Sequence, residues 1–417
     1  MLNNFSSIIG KGLTVNFIGS VGLMLFRFIS ISICTYFFGV DGYGEYIFAF
    51  AIISFFSLII INGMDVSYIK FAHQPEANLL IFHCVKRLII RLVATLPVII
   101  LVGYVLQNSF EKEKFLVSLL ILTIAIGFDN ISNMIIALNK FKLIMIEQYY
   151  YLFLKELCFI SMVLATSFFL TEHALTISIA IASFTGLFFL FLRSISRFPQ
   201  YFEMKWSFYP HYDFYITSRT LMYNSFVNRS ITSVDILLLG LTLSPSLLGA
   251  YAILTKITGV LSLFQKSART ILYPVYCKLY ELNDNNQIKK IFMISSLGIF
   301  FITSIIALIM LSASNKIYTY FNLPNDPSYQ IAFVLLLSAK VIFSASGSSG
   351  SLLICFGHSK RFLFSDVVST AVLITCLVVF VPHAQLVGAA VAVLISNLIV
   401  TLMRLYFVNL YIYKPRF

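Results

Sequence analysis

The sequence predicts an all-α polytopic membrane protein with about twelve transmembrane helices in two pseudo-symmetric six-helix lobes. Composition is the first reason: of 417 residues, 59% are hydrophobic and only 11% charged, with 42 phenylalanines, and mean hydropathy is +0.92. That is more apolar surface than a water-soluble core can use. Continuity is the second. The runs "YIFAFAIISFFSLIIING" (46–63) and "IFMISSLGIFFITSIIALIMLSAS" (291–314) approach or exceed the roughly 20 residues that cross ~30 Å of hydrocarbon. A transmembrane barrel would instead show alternating segments of about ten residues. The third reason is a pattern that recurs half a chain length later.

Spans are predicted at roughly 13–38, 46–64, 88–107, 115–138, 149–170, 174–192, 219–242, 250–272, 290–312, 329–356, 362–381 and 386–407. The first follows a segment whose only charge is Lys11, runs about 25 residues and lacks an A-x-A cleavage pattern, so it reads as an uncleaved span. The net charge of +12 follows the topology and so does not point to nucleic acid. With the N-terminus in the cytoplasm, only Lys112, Lys114 and Lys316 fall in outer connections. The inner connections and termini hold Lys86 and Arg87, Lys140 and Lys142, Arg193 and Arg197, Lys266 and Arg269, Lys289 and Lys290, Lys360 and Arg361, and at the end Arg404, Lys414 and Arg416. This asymmetry predicts both termini on the cytoplasmic side. The six cysteines are dispersed, with no pair at metal-site spacing, and read as small buried hydrophobes.

The polar, aromatic and basic stretch "RSISRFPQYFEMKWSFYPHYDFYITS" divides the chain into an N-terminal lobe 1–192, a cytoplasmic linker 193–218 and a C-terminal lobe 219–417. "YFFGVDGYGEYIF" (36–48) and "LLLGLTLSPSLLGAYAIL" (237–254) each end a span in Gly, turn briefly, and restart with Gly followed two residues later by Tyr. "LNKFK" (138–142) and "CFGHSK" (355–360) each close a span on the inner side. A duplication in the same orientation implies a pseudo-two-fold axis along the membrane normal, with a site where the halves meet.

Charges inside spans are the candidate functional residues, because an ionised group at the bilayer centre costs at least about 2.5–3.5 kcal/mol on insertion scales. Arg27, Arg229 and Lys340 lie about 16 Å deep, and Lys256 and Asp235 about 8–9 Å from the outer surface. Lys155 and Glu156 open the fifth span and Asp366 the eleventh, where snorkelling explains them. Excluding these leaves Arg27, Arg229, Lys256 and Lys340 against Asp129 and Asp235, a net positive set suited to an anionic substrate. Asp129 either balances Arg27 or binds a coupling cation. Asp235 either forms a salt bridge with Arg229 or Lys256 or has a functional role. The Ser, Thr and Asn residues beside them read as interhelical glue, and "SASGSSGSLL" (344–353) as a place for close packing or bending.

"VDILLLGLTLSPSLLGAYAILTKI" (234–257), with "FFGVDGYGEY" (37–46), "INGMDVSYIKF" (61–71), "YPVYCKLYE" (273–281) and "HAQLVGAAVAVLIS" (383–396), resembles the Wzx-type O-antigen and polysaccharide-unit flippases. These belong to the multidrug/oligosaccharidyl-lipid/polysaccharide (MOP) exporter superfamily, whose fold is MATE-like. The resemblance implies a flippase of lipopolysaccharide or related polysaccharide biosynthesis in a bacterial inner membrane. It would move undecaprenyl-pyrophosphate-linked oligosaccharide repeat units from the cytoplasmic to the periplasmic leaflet by alternating access. Arg27, Arg229, Lys256 and Lys340 would receive the pyrophosphate, while Asp129 and Asp235 would serve coupling or charge balance. Implied partners are the lipid-linked oligosaccharide, membrane lipids, a polysaccharide polymerase and a chain-length regulator. No cofactor, metal or nucleic acid is expected, nor an enzymatic activity. No ATP-binding loop is present in the sequence, which leaves H+ or Na+ coupling, or consumption of the flipped product, as the energy source.

Rival readings are a MATE-like multidrug or cation antiporter, which should favour acidic cavity residues, and an integral-membrane polymerase or acyltransferase. The latter needs a substantial outer loop or a catalytic His or acidic cluster, and here His173 and His383 stand alone in short outer loops. A channel would need charge rings or filter-like loops that the sequence lacks.

Overall fold

The computed structural model describes residues 2–61, 63–71, 77–106, 112–141, 146–167, 173–199, 212–282 and 284–412. The elements among these residues are all helices: α1 (Leu2–Ile61), α2 (Met64–Phe71), α3 (Ala77–Leu106), α4 (Lys112–Phe141), α5 (Ile146–Ser167), α6 (Ala174–Arg197), α7 (Tyr212–Thr242), α8 (Pro245–Thr258), α9 (Leu261–Glu281), α10 (Asn285–Ser312), α11 (Ser314–Tyr320), α12 (Pro327–Ala345), α13 (Ser349–Cys355) and α14 (Ser359–Ile412). Eight stretches are long and apolar enough to cross a membrane, nine with the bent pair α8 and α9. The chain is an all-α, multi-pass membrane protein.

Two of those stretches are too long for one crossing. Ile18–Ile61 has 44 residues and Ser359–Tyr411 has 53, or about 66 and 80 Å at 1.5 Å per residue, against ~30 Å of hydrocarbon. Each breaks where the sequence places an outer turn. Gly39 has φ 71° and ψ 172°, in a region that a side chain disfavours, and Gln385 has φ 44°. Counting each as two spans gives ten crossings among the described residues, or eleven with the bent pair, against the twelve predicted from hydropathy.

Residue pairing shows that α14 is an antiparallel hairpin. Ser369 and Ser396 bond through their hydroxyls at 2.8 Å, Asp366 meets Arg404, and a Cβ on Gly388 would lie 2.4 Å from the Phe380 carbonyl oxygen. The midpoints of all three pairs fall between residues 382 and 385. By contrast, the first half of α1 runs parallel to α5. Ser20 meets Tyr149 at 3.3 Å and Arg27 meets Glu156 at 3.1 Å, both 129 residues apart, and a constant offset requires a common direction.

Two predicted spans are broken. Hydropathy predicts one helix over residues 250–272, but α8 and α9 meet at a 47° bend. Within 329–356, helix α12 ends before Gly347, which has φ 50°, and α13 resumes two residues later. Gln265 of α9 holds this break, donating from Nε2 to the carbonyls of Phe343 (3.2 Å) and Gly347 (3.1 Å) and to Ser346 Oγ (2.9 Å). Backbone groups freed by a broken helix in an apolar setting need such partners. The Gly/Ser stretch thus bends and also packs closely, since a Cβ on Gly347 would sit 2.1 Å from Ser296 Oγ.

The chain divides into two compact units, Met1–Ser233 and Val234–Phe417. Residues 200–211 of the predicted linker lie outside the described residues. The stretch after them is helical and docks on the first unit: Phe214 packs edge-on against Phe71 at 5.7 Å and Tyr215 Oη lies 2.7 Å from His83 Nε2. Of the cysteines, read as small buried hydrophobes, Cys34 and Cys84 are buried while Cys158, Cys277, Cys355 and Cys376 are half-buried, and Cys277 and Cys355 bring their sulfurs to 2.7 Å.

Candidate functional site

Arg27 is carried on the first half of α1, twelve residues before the Gly39 break, or about 18 Å along the helix. Its Nε donates to Glu156 Oε1 at 3.1 Å, and Ser30, one turn further along α1, donates to Glu156 Oε2 at 3.2 Å. The carboxylate is therefore engaged on both oxygens, while Arg27 has no second partner among the described residues. Its side chain is 55% exposed against 17% for Glu156. The guanidinium is pinned through Nε, and among the described residues its Nη nitrogens, which can pair bidentately with an oxyanion, have no hydrogen-bond partner.

Asp129 of α4 does not balance Arg27. Lys155 Nζ lies 2.6 Å from both Asp129 oxygens, and Tyr151 Oη, one turn earlier on α5, donates to Oδ1 at 3.2 Å. The snorkelling explanation for Lys155 and Glu156 is replaced by this pairing. The helix α5 begins at Ile146, three residues before the predicted span, which puts Lys155 about 14 Å along it. Among the described residues of the first unit, Arg27, Asp129, Lys155 and Glu156 thus close into two ion pairs, and Arg91 of α3 brings Nη1 to 3.8 Å from Met64 Sδ.

In the second unit Asp235 is fixed by two donors at 2.8 Å, the Ile236 backbone N–H and the hydroxyl of fully buried Tyr251. No ion pair to Asp235 occurs among the described residues. The cation whose charge acts on it is Lys340 of α12, not Lys256, which is exposed on α8. Half-buried Lys340 makes no hydrogen bond among the described residues, and Lys266 repels it from α9. Asp366, read as an inner-edge residue, is paired with Arg404 across the α14 hairpin. The Arg229 side chain and its polar neighbours on α7 lie outside the described residues.

The structure thus brings together Asp235 and Lys340 within one unit, and it attaches Glu156 to Arg27. Sequence reasoning missed Glu156 and Tyr251 as partners. The Tyr251 position had a signal: the Gly-x-Tyr step after the Asp-bearing span.

No family model and no curated protein sequence matches the chain. Solved structures do. The lipid II flippase MurJ in an inward closed conformation aligns with TM-score 0.74 and 14% identity, over 94% of this chain and 87% of that one. A multidrug resistance MATE family transporter of the MOP superfamily, inward-facing, aligns with TM-score 0.72 and 12% identity, over 93% and 98%. A MOP superfamily transporter from Pyrococcus furiosus gives 0.69 and 12%, over 97% and 95%. The chain has the fold of the MOP superfamily transporters, MurJ and MATE among them.

Proposed function

We propose that the protein is a flippase for undecaprenyl-pyrophosphate-linked oligosaccharide repeat units of a bacterial surface polysaccharide, working by alternating access from the cytoplasmic to the outer leaflet of the inner membrane. The observation that carries this reading is Arg27, an intramembrane guanidinium held at one nitrogen by Glu156 on a side chain that is 55% exposed. A hydrophobic helix tolerates such a group when it meets a charged partner or water, and a pyrophosphate is the anion a free guanidinium edge suits best. Lys340, without a hydrogen bond among the described residues, is a second point cation of the same kind, and Arg229 and Lys256 complete the proposed set. Asp129 is assigned to holding Lys155, and Asp235 to charge balance against Lys340 or to H+ or Na+ coupling.

The fold supports a transporter of either charge preference. One structural neighbour is a lipid II flippase, and in another, the Pyrococcus furiosus transporter, reverse polarity of the binding pocket suggests a different function. Lining charge, rather than architecture, then decides the substrate. A second reading, a MATE-like cation antiporter, draws on the neutral pairing of the first unit, where Asp129 and Glu156 cancel Lys155 and Arg27. Deletion in the native cell separates the two. Lipid-linked single units should accumulate on the inner leaflet while surface glycan disappears. Unchanged surface glycan with increased sensitivity to cationic drugs would overturn the flippase in favour of the antiporter.

A further inference from the structure

Away from the residues assigned above, the second unit holds two guanidiniums against one carboxylate. Arg404 of α14 is 3% exposed. Its Nη2 meets Asp366 and its Nε points to Ser365 Oγ at 3.4 Å, but its Nη1 is buried with no hydrogen-bond partner among the described residues. Arg269 of α9 is worse served, since both its Nε and its Nη2 are buried and unpartnered among the described residues. The two side chains share one aromatic platform: the Arg269 and Arg404 guanidinium carbons lie 6.0 and 5.4 Å from the Phe343 ring centroid. Phe362 covers Arg404 from another side at 4.7 Å. Their charges repel each other, and Asp366 acts on both.

One carboxylate cannot neutralise two guanidiniums, and a ring face offers a cation no hydrogen-bond acceptor. Buried charges without a partner are costly, and buried donors are ordinarily satisfied. Three unsatisfied N–H-bearing nitrogens and one excess positive charge define what is missing: a compact anion with several acceptor oxygens. Arg404 and Asp366 each lie nineteen residues from Gln385, about 28 Å along the hairpin. This is the end at which Lys360 and Arg361 sit, where phosphate groups of lipids and of solution are both within reach.

We propose that Arg269 and Arg404 form an anion site inside the second unit that takes a phosphate group, with Asp366 setting the orientation of Arg404 and Phe343 forming the floor. The site is independent of the proposed transport reading, because none of its residues belongs to the Arg27, Arg229, Lys256 and Lys340 set.

Thermal unfolding of the purified full-length chain in phosphate-free, non-ionic detergent, at constant ionic strength set with chloride, tests it. Inorganic phosphate forms one arm, and phosphatidylglycerol against a phosphate-free galactolipid the other. Wild type should gain about 3 °C or more in at least one arm, because a ligand bound only to the folded state raises its stability. A gain with phosphate assigns a free anion, and a gain with phosphatidylglycerol alone assigns a lipid headgroup. Arg269→Gln should lose the gain, with apparent affinity roughly tenfold weaker. Arg404→Gln/Asp366→Asn, which removes the pair together and leaves no lone carboxylate, should lose it too. Lys316→Gln, outside both this site and the proposed transport set, should retain it. No gain in either arm, a gain that survives Arg269→Gln or the double variant, or a gain lost in Lys316→Gln would each overturn the proposal.

Discussion

The two compact units handle intramembrane charge in opposite ways. The first closes four charges in two local pairs: Lys155 on Asp129 at 2.6 Å and Arg27 on Glu156 at 3.1 Å, reinforced by Tyr151 and Ser30. The second leaves cations over, with Lys340 unbonded among the described residues beside an Asp235 that is already held by Tyr251 and a backbone N–H, and with Arg269 left out of the Arg404–Asp366 pair. A satisfied pair is a device for holding helices in register. An unsatisfied cation has interaction capacity left for a ligand. Arg27 is the exception within the first unit, since it is paired through one nitrogen and otherwise exposed.

That contrast is broken most sharply at Arg27. Arg27→Gln is expected to abolish transport of lipid-linked units at normal protein abundance, while Arg27→Lys retains part of it, as measured by surface glycan and by flipping in proteoliposomes. Near-wild-type flipping by Arg27→Gln would reduce Arg27 to a packing partner like Lys155. Next in size is the Lys155–Asp129 pair. Asp129→Asn strands a half-buried ammonium and should cost about 1.5–3 kcal/mol in unfolding measurements, whereas Asp129→Leu/Lys155→Met should recover most of it. If the double variant folds well yet does not transport, the pair is more than register.

Lys340 should behave in reverse. Lys340→Met removes an unbonded, half-buried cation, so thermal stability should rise by about 1 kcal/mol while transport falls. A loss of stability would place Lys340 with the paired charges of the first unit. The smallest expected effect concerns His358, which stacks on Tyr411 at 3.7 Å at the end of the second unit. Burial first, then the neighbouring Arg361, holds its imidazole below the usual histidine range. The unfolded chain therefore binds its proton more readily. Stability tied to His358 is complete above about pH 6.5 and is lost as the pH falls from there through the lower folded value. His358→Phe, which keeps the ring stack, should flatten the change in melting temperature between neutral and mildly acidic buffer.

Much of the architecture is legible in the sequence because hydrophobic length is a local property. The long apolar helices, the Gly39 turn and the bend near Gly347 follow from runs of residues that a reader can count. The partners of each charge are not legible, because they depend on which helix faces which. Depth alone sets Asp129 against Arg27, yet α4 meets α5 through Lys155, and Arg27 meets Glu156 instead. Starting α5 three residues late makes Lys155 and Glu156 look like edge residues. Arg269 and Arg404 read as residues of inner connections and of the C-terminal end because positive charge marks the inner side, a rule that gives sidedness and says nothing of burial. The Asp366–Arg404 pair does have a readable signature, since both residues lie nineteen positions from Gln385, at the turn of a hairpin.

That hairpin also bears on how the chain enters the bilayer during synthesis. Taken singly, the last two spans would each carry one ionised residue toward the end away from the Gln385 turn, Asp366 in one and Arg404 in the other, with no counter-ion on the same helix. Folded back at Gln385, each supplies the other's counter-ion, and the Ser369–Ser396 contact aligns them a turn further along. The economical route is for the two helices to leave the insertion machinery as one body, with the carboxylate waiting in the protein channel until the guanidinium arrives. A chain truncated just after residue 390 would then be stranded with its final crossing half-inserted, and quality-control proteolysis would see it before any transport assay could.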